Sequence, residues 1–103
     1  MKIDKIYRLR VDMSKSLPRR NCSKEQASYA LFSLLSAYYA TKIRYIGTGF
    51  YDGERHEWMI IEGVGTINMS MKSQTVEGYF EKREIAAGFN QLLESFSNKR
   101  MEL

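Results

Sequence analysis

The chain has 103 residues, of which 44% are hydrophobic and 27% are charged, and its formal net charge is +4 at pH 7. This composition excludes a disordered chain, and the length suits one domain, residues 1–103. No apolar run approaches the roughly 20 residues of a membrane-spanning helix, and the single cysteine excludes an intrachain disulfide or a cysteine-based zinc site. We therefore expect a cytoplasmic domain with no membrane partner and no metal site.

The first predicted element is a strand at 3–13. From Tyr7 to Met13, apolar residues alternate with Arg8, Arg10 and Asp12, and a period of two is typical of a strand with one buried face. Both arginines then lie on the exposed face of that strand.

The positive charge is concentrated in this part of the chain. Residues 1–24 carry eight basic groups against two acidic ones, whereas the remainder carries eight against ten. A predicted exposed loop at 14–22 follows the strand and contains Lys15, Arg19 and Arg20. A local basic segment of this kind favours contact with phosphates or with an acidic protein surface.

A helix is predicted at 23–40. Ser23 and Gln26 have the spacing of a capping box, in which each side chain satisfies a backbone donor of the other residue. Apolar residues at spacings of three and four predict the stripe that faces the core: Ala27, Ala30, Leu31, Leu34, Leu35 and Tyr38. Phe32 and Tyr39 fall outside this stripe and suggest an additional contact, such as a dimer seam.

Residues 42–80 predict a β-meander. Asp52-Gly53 separates two β-rich runs near 42–51 and 56–62, and this dipeptide suits a tight hairpin turn. A third strand follows around Ile67 and Met69, where apolar and polar residues alternate. The segment 76–80 is either a fourth strand of the meander or an extended link.

A second helix is predicted at 81–97, because Ile85, Phe89, Leu92 and Phe96 share one helical face. Gly88 within it suggests a close approach to the sheet. The resulting order, β-α-β-β-β-α, predicts an α+β fold, an antiparallel sheet with two helices packed on one face.

The sequence contains no pattern typical of a catalytic centre, and we expect a protein that is not an enzyme and needs no cofactor. We expect Cys22 to be a small inert residue. His56 lies between Arg55 and Glu57, beside the hairpin turn, and we expect it to face solvent. The carboxylates of the hairpin read as an exposed charged edge: Asp52, Glu54, Glu57 and Glu62.

The first hairpin is rich in aromatic residues interleaved with basic ones. The aromatic residues are Tyr45, Phe50, Tyr51 and Trp58, and the basic residues are Lys42, Arg44 and Arg55. Packing in the sheet core is the first interpretation of these rings. Stacking on nucleobases and anchoring a protein interface are the alternatives.

From residue 23 onward, the predicted order of a helix, three strands and a helix resembles that of the double-stranded RNA-binding domain. The resemblance implies RNA contacts at His56, within Gly53-Glu54-Arg55-His56, and at Lys82-Arg83. Glu81 and Glu84 flank Lys82-Arg83, where that family carries an almost wholly basic run.

These features predict a small binding protein that engages an acidic partner, either a nucleic-acid backbone or an acidic protein surface. The candidate binding residues are Arg8, Arg10, Lys15, Arg19, Arg20, Lys42, Arg44, Tyr51, Arg55 and His56. The alternative is a homodimeric or inhibitory interaction module, of the kind that phages and mobile elements encode. It would bind through the aromatic residues Phe32, Tyr39, Tyr51 and Trp58.

Overall fold

The elements of the domain follow in the order strand, helix, four strands, helix. A computed structural model describes residues 6–17 and 22–101, with the side chains described up to residue 96. The strands are β1 (Tyr7–Asp12), β2 (Ile43–Tyr51), β3 (Glu54–Ile61), β4 (Gly65–Ser70) and β5 (Thr75–Phe80). The helices are α1 (Lys24–Tyr39) and α2 (Arg83–Met101), and a short 3-10 helix spans Ala40–Lys42.

The strands form one antiparallel sheet in the order β1-β5-β4-β3-β2, so β1 and β2 are its two edges. The predicted α+β class is confirmed. The segment left open at 76–80 is a strand, and it pairs with both β1 and β4. Four strands therefore lie between the two helices in the chain, one more than in the element order of the double-stranded RNA-binding domain.

Both helices cover the same face of the sheet, which we call the helix side. Helix α1 packs on β3 and β4, and α2 packs on β1 and β5. The core between them is formed by alternate strand residues such as Met59, Ile67 and Val76, together with Leu35 of α1 and Leu93 of α2. Neither helix packs on the opposite face, which is called the open face below.

Helix α1 begins as predicted, but its buried stripe is rotated. The capping box of Ser23 and Gln26 is present. The residues of α1 that are buried are Ala27, Ser28, Leu31, Phe32 and Leu35, whereas Ala30, Leu34 and Tyr38 are exposed. Phe32, which was expected to mark a dimer seam, lies in the core of its own chain. The predicted stripe was wrong on this flank because Phe32 fills more core volume than Leu34, and because the Ser28 hydroxyl donates to the carbonyl of Met71 at 2.7 Å.

The tight turn between β2 and β3 has the predicted conformation. Asp52 has φ 52° and Gly53 has φ 75°, and two consecutive left-handed residues match the twist of a two-residue hairpin. Tyr51 and Glu54 are therefore directly opposite each other. Among the described residues, no helix is long and apolar enough to span a membrane.

Gly88 does not approach the sheet, contrary to the expectation from the sequence. A Cβ atom built at this position meets no atom within 4 Å. Alanine has the higher helix propensity, so Gly88→Ala should raise the free energy of unfolding by about 1 kcal/mol. Urea denaturation of the two proteins measures this difference.

Gly65 provides the matched control. Its φ is 152°, and a Cβ would lie 2.2 Å from the backbone oxygen of Tyr79, so Gly65→Ala should destabilise the protein. Equal effects of the two substitutions would contradict this account of both glycines.

Candidate functional site: the open face of the sheet

The open face carries polar, aromatic and basic side chains in rows that cross the strands. The strand registers from β1 to β2 define two central rows. One row contains Arg10, Glu77, Asn68, Trp58 and Gly47. The other contains Arg8, Tyr79, Thr66, Ile60 and Tyr45. Arginines therefore lie at the β1 edge and aromatic rings at the β2 edge, four strand spacings or about 19 Å apart.

Two glycines of β2 leave room for aromatic rings to lie along the sheet. A Cβ at Gly47 would be 2.0 Å from the Tyr45 hydroxyl oxygen, so the Tyr45 ring extends over that glycine. A Cβ at Gly49 would be 3.7 Å from Trp58 Nε1. Tyr45 remains 54% exposed. These rings were expected to pack in the core, but they lie on the face that no helix covers.

Tyr51 completes this group by stacking on His56, with ring centroids 3.7 Å apart and an interplanar angle of 11°. Its ring centroid is 6.4 Å from that of Trp58. We call Tyr45, Tyr51, His56 and Trp58 the aromatic cluster. His56 is only 5% exposed, so the prediction of a solvent-facing histidine was wrong, because the Tyr51 ring covers it.

A buried polar group lies beside the aromatic cluster. His56 Nδ1 is 3.2 Å from Asn68 Oδ1 and 3.3 Å from Ser70 Oγ, and the Tyr51 hydroxyl donates to Asn68 Oδ1 at 3.5 Å. Desolvation raises the pKa of the Tyr51 hydroxyl, and the carboxylate of Glu77 adds to the effect. Tyr51 is therefore a neutral hydrogen-bond donor at physiological pH.

Two atoms of this group have unused hydrogen-bonding capacity. Within the part of the chain that the structure describes, His56 Nε2 and Asn68 Nδ2 have no hydrogen-bond partner, although both side chains are more than nine-tenths buried. A buried polar atom without a partner costs free energy, and most such atoms in proteins are satisfied. The polar group of the open face is therefore buried beneath its surface, with two atoms that form no hydrogen bond to the described residues.

The arginines of β1 differ in their contacts. Arg8 donates to Glu77 through Nε at 3.0 Å and through its terminal nitrogen, and Tyr79 also donates to Glu77, at 3.2 Å. The hydrogen bond from Arg8 holds the pKa of Glu77 below its usual range. Within the described residues, Arg10 forms no ion pair. Among the described residues, Arg10 is thus available to an anion without breaking an ion pair, whereas Arg8 would share its guanidinium with Glu77.

Arg55 belongs to the helix side and not to the open face. Its Nε donates to the buried Glu57 carboxylate at 3.1 Å, its guanidinium lies 5.7 Å from the ring centroid of Tyr29 in α1, and Thr48 also donates to Glu57. Glu57 was predicted to lie on an exposed charged edge. It is instead 2% exposed, because α1 and Arg55 cover it.

The other predicted binding residues are dispersed. Lys15 is exposed in the turn that follows β1, and Lys42 ends the 3-10 helix before β2. Arg44, at a bulge in β2, pairs with Glu62. Arg19 and Arg20 lie outside the described residues. The structure thus brings together Arg8, Arg10, Tyr51 and His56 on one face, and places Lys42 and Arg44 at its far edge.

Four members of the open face were not singled out from the sequence: Asn68, Ser70, Glu77 and Tyr79. The alternation of apolar and polar residues along β4 was recognisable in the sequence, and it placed Asn68 and Ser70 on the face opposite the apolar one. Their neighbours on β3 and β5 depend on strand order, which periodicity does not determine. The described residues contain no cluster of three or more histidine, cysteine or acidic side chains suited to a metal ion.

Comparisons with protein-family models, with curated proteins and with solved structures each return no match for this chain.

Proposed function

We propose that the protein binds single-stranded nucleic acid on its open face, with bases stacked on the aromatic cluster and phosphates contacting Arg10 and Arg8. The observation that supports this proposal is the set of rings at the β2 edge. They lie along an uncovered sheet over Gly47 and Gly49, and Tyr45 and Tyr51 keep about half of their surface exposed.

Base stacking is the physical basis for the preference for a single strand. An aromatic side chain that stacks on a base contributes about 1 to 3 kcal/mol, and it requires a base face that a duplex keeps hidden. Among the described residues, the open face offers rings on a sheet, and both helices lie on its other side. Unpaired bases are therefore the ligands that fit.

The polar groups between the rings and the arginines suit the edges of bases. Glu77 is an acceptor that can receive an exocyclic amino group, whereas Asn68 Nδ2 is buried and shapes the site from below the surface. Arg10 and Arg8 lie beyond them at the β1 edge, where a backbone crossing the sheet would bring its phosphates.

Fluorescence anisotropy with short labelled oligonucleotides tests the proposal. We expect single-stranded RNA or DNA to bind with an affinity that falls as salt rises, and duplexes of the same sequence to bind more weakly. Trp58→Ala should weaken binding at least tenfold and Trp58→Phe much less, because the phenyl ring retains a stacking surface. Arg10→Ala should lower the salt slope by about 0.7 for one lost phosphate contact.

Lys82→Ala is the matched control, since Lys82 is exposed at the start of α2 and the RNA-binding-domain resemblance implicates it. Unchanged single-strand binding by this variant agrees with the proposal. Preferential duplex binding that depends on Lys82 would overturn it. The absence of binding to any nucleic acid would also overturn it and leave an acidic protein surface as the partner of this face.

A further inference from the structure

The two edges of the sheet differ in how they are protected against pairing with another chain. Edge strand β1 has six residues, and Arg8, Arg10 and Asp12 lie along it. Charges and short length are the usual means of blocking edge pairing. Edge strand β2 has nine residues, and no charged residue occurs from Tyr45 to Tyr51. The β2 edge is thus open to pairing.

The free backbone groups of β2 can be assigned from its neighbours. Met71 N donates to Arg55 O at 2.9 Å, so the backbone of Arg55 faces β4. Alternate residues of a strand face the same neighbour, so His56 and Trp58 face β2 and bond to Gly49 and Gly47. The backbone groups that point outward from β2 are therefore those of Ile46, Thr48 and Phe50.

The side chains of β2 are chemically palindromic about Thr48. The pairs at equal distance from Thr48 are Gly47 and Gly49, Ile46 and Phe50, Tyr45 and Tyr51, and Arg44 and Asp52. The three inner pairs match in kind, and the outermost pair, in which Asp52 lies in the turn after β2, is opposite in charge. Ile46 is 50% exposed and Phe50 is 77% exposed.

We infer that two copies of this chain associate by antiparallel pairing of β2 with β2, with Thr48 on the two-fold axis. In this register Ile46 of one copy faces Phe50 of the other, on the helix side of the sheet. Tyr45 faces Tyr51 on the open face, and Arg44 lies near Asp52. Ile46, Thr48 and Phe50, the residues whose backbone groups point outward, then form the hydrogen-bonded rungs.

The dimer joins the two sheets into one continuous sheet and buries the exposed apolar side chains of the edge. It also places the two aromatic clusters side by side at the centre of a longer open face. The inference does not depend on nucleic-acid binding, because it rests on the edge strand and not on the open face.

Sedimentation equilibrium in the absence of nucleic acid tests the inference over a range of protein concentrations. We expect the native chain to have the mass of a dimer. Ile46→Lys or Phe50→Glu alone should reduce the mass to that of a monomer, because each leaves a charge opposite an apolar side chain. The double variant I46K/F50E should be a dimer again, because each lysine then faces a glutamate.

A mixture of the two single variants sharpens this test, since it should form a heterodimer that neither variant forms with itself. Leu34→Lys is the matched control: Leu34 is an equally exposed apolar residue, but it lies on α1, and its substitution should leave the dimer intact. A native monomer at every concentration would overturn the inference, as would failure of the double variant to recover the dimer.

The variants also separate this inference from the proposed function. Ile46 and Phe50 lie on the helix side, so their substitution should leave binding of a short oligonucleotide by each protomer within about twofold of the native value. A native chain that is a monomer but binds oligonucleotides would overturn the dimer alone, and a native dimer that binds none would overturn the proposed function alone.

Discussion

Phe80→Ala is expected to lower the free energy of unfolding by about 3 to 5 kcal/mol, the usual cost of removing a buried phenyl ring. Phe80 is fully buried at the end of β5, and its ring centroid is 5.4 Å from that of Phe89 in α2. A Cβ at Gly78 would be 2.4 Å from the Phe80 ring, so that ring occupies the space over the glycine. Its removal leaves a cavity between the sheet and α2.

Chemical denaturation of the purified variants measures this loss. Phe80→Leu keeps most of the volume and should cost about 1 kcal/mol. A difference of this size between the two variants would show that the ring fills a packed core. Equal stabilities of Phe80→Ala and the native chain would contradict the packing of α2 against β5.

Arg55→Met is expected to lower the free energy of unfolding by about 2 kcal/mol. The Glu57 carboxylate is buried, and removal of its guanidinium partner leaves a charge whose remaining hydrogen bond among the described residues comes from the Thr48 hydroxyl. The expected loss is below that of a fully buried pair, because the Arg55 side chain is 44% exposed and water can approach. Methionine is an unbranched side chain of similar length, but it loses the contact of the guanidinium with the Tyr29 ring.

The double variant Arg55→Met/Glu57→Met separates the charge effect from packing. It should recover most of the lost stability, since an apolar pair replaces an ion pair with little net change. If Arg55→Met instead left stability unchanged and abolished nucleic-acid binding, the assignment of Arg55 to a structural role would be wrong.

Part of the candidate site was predictable from local pattern. The alternation of apolar and polar residues from Tyr7 to Met13 placed Arg8 and Arg10 on one face of a strand. The predicted Asp52-Gly53 turn placed Tyr51 at the end of a hairpin strand, directly before the turn. Both predictions depend only on residues within a few positions of each other. The backbone alternates with a period of two whatever the strand pairs with.

The rest of the site depended on contacts that are distant in sequence. Because His56 lies between Arg55 and Glu57, the sequence predicts an exposed side chain, but Tyr51 stacks on its ring and Asn68 of β4 contacts its Nδ1. Glu57 was misjudged for the related reason that α1 passes over it. Charge in the local sequence does not reveal which neighbour a strand residue will meet.

The sequence by itself determined the class of this protein, since its period-two and period-3.6 patterns, the capping box at Ser23 and the β2–β3 turn are set by local backbone geometry. Only the tertiary structure decided which flank of α1 is buried, that β5 pairs with both β1 and β4, and that β2 lies at an edge. Strand order arises from long-range burial of apolar faces. Because strand order decides which strands lie at an edge, it also decides which aromatic side chains are covered and which are exposed.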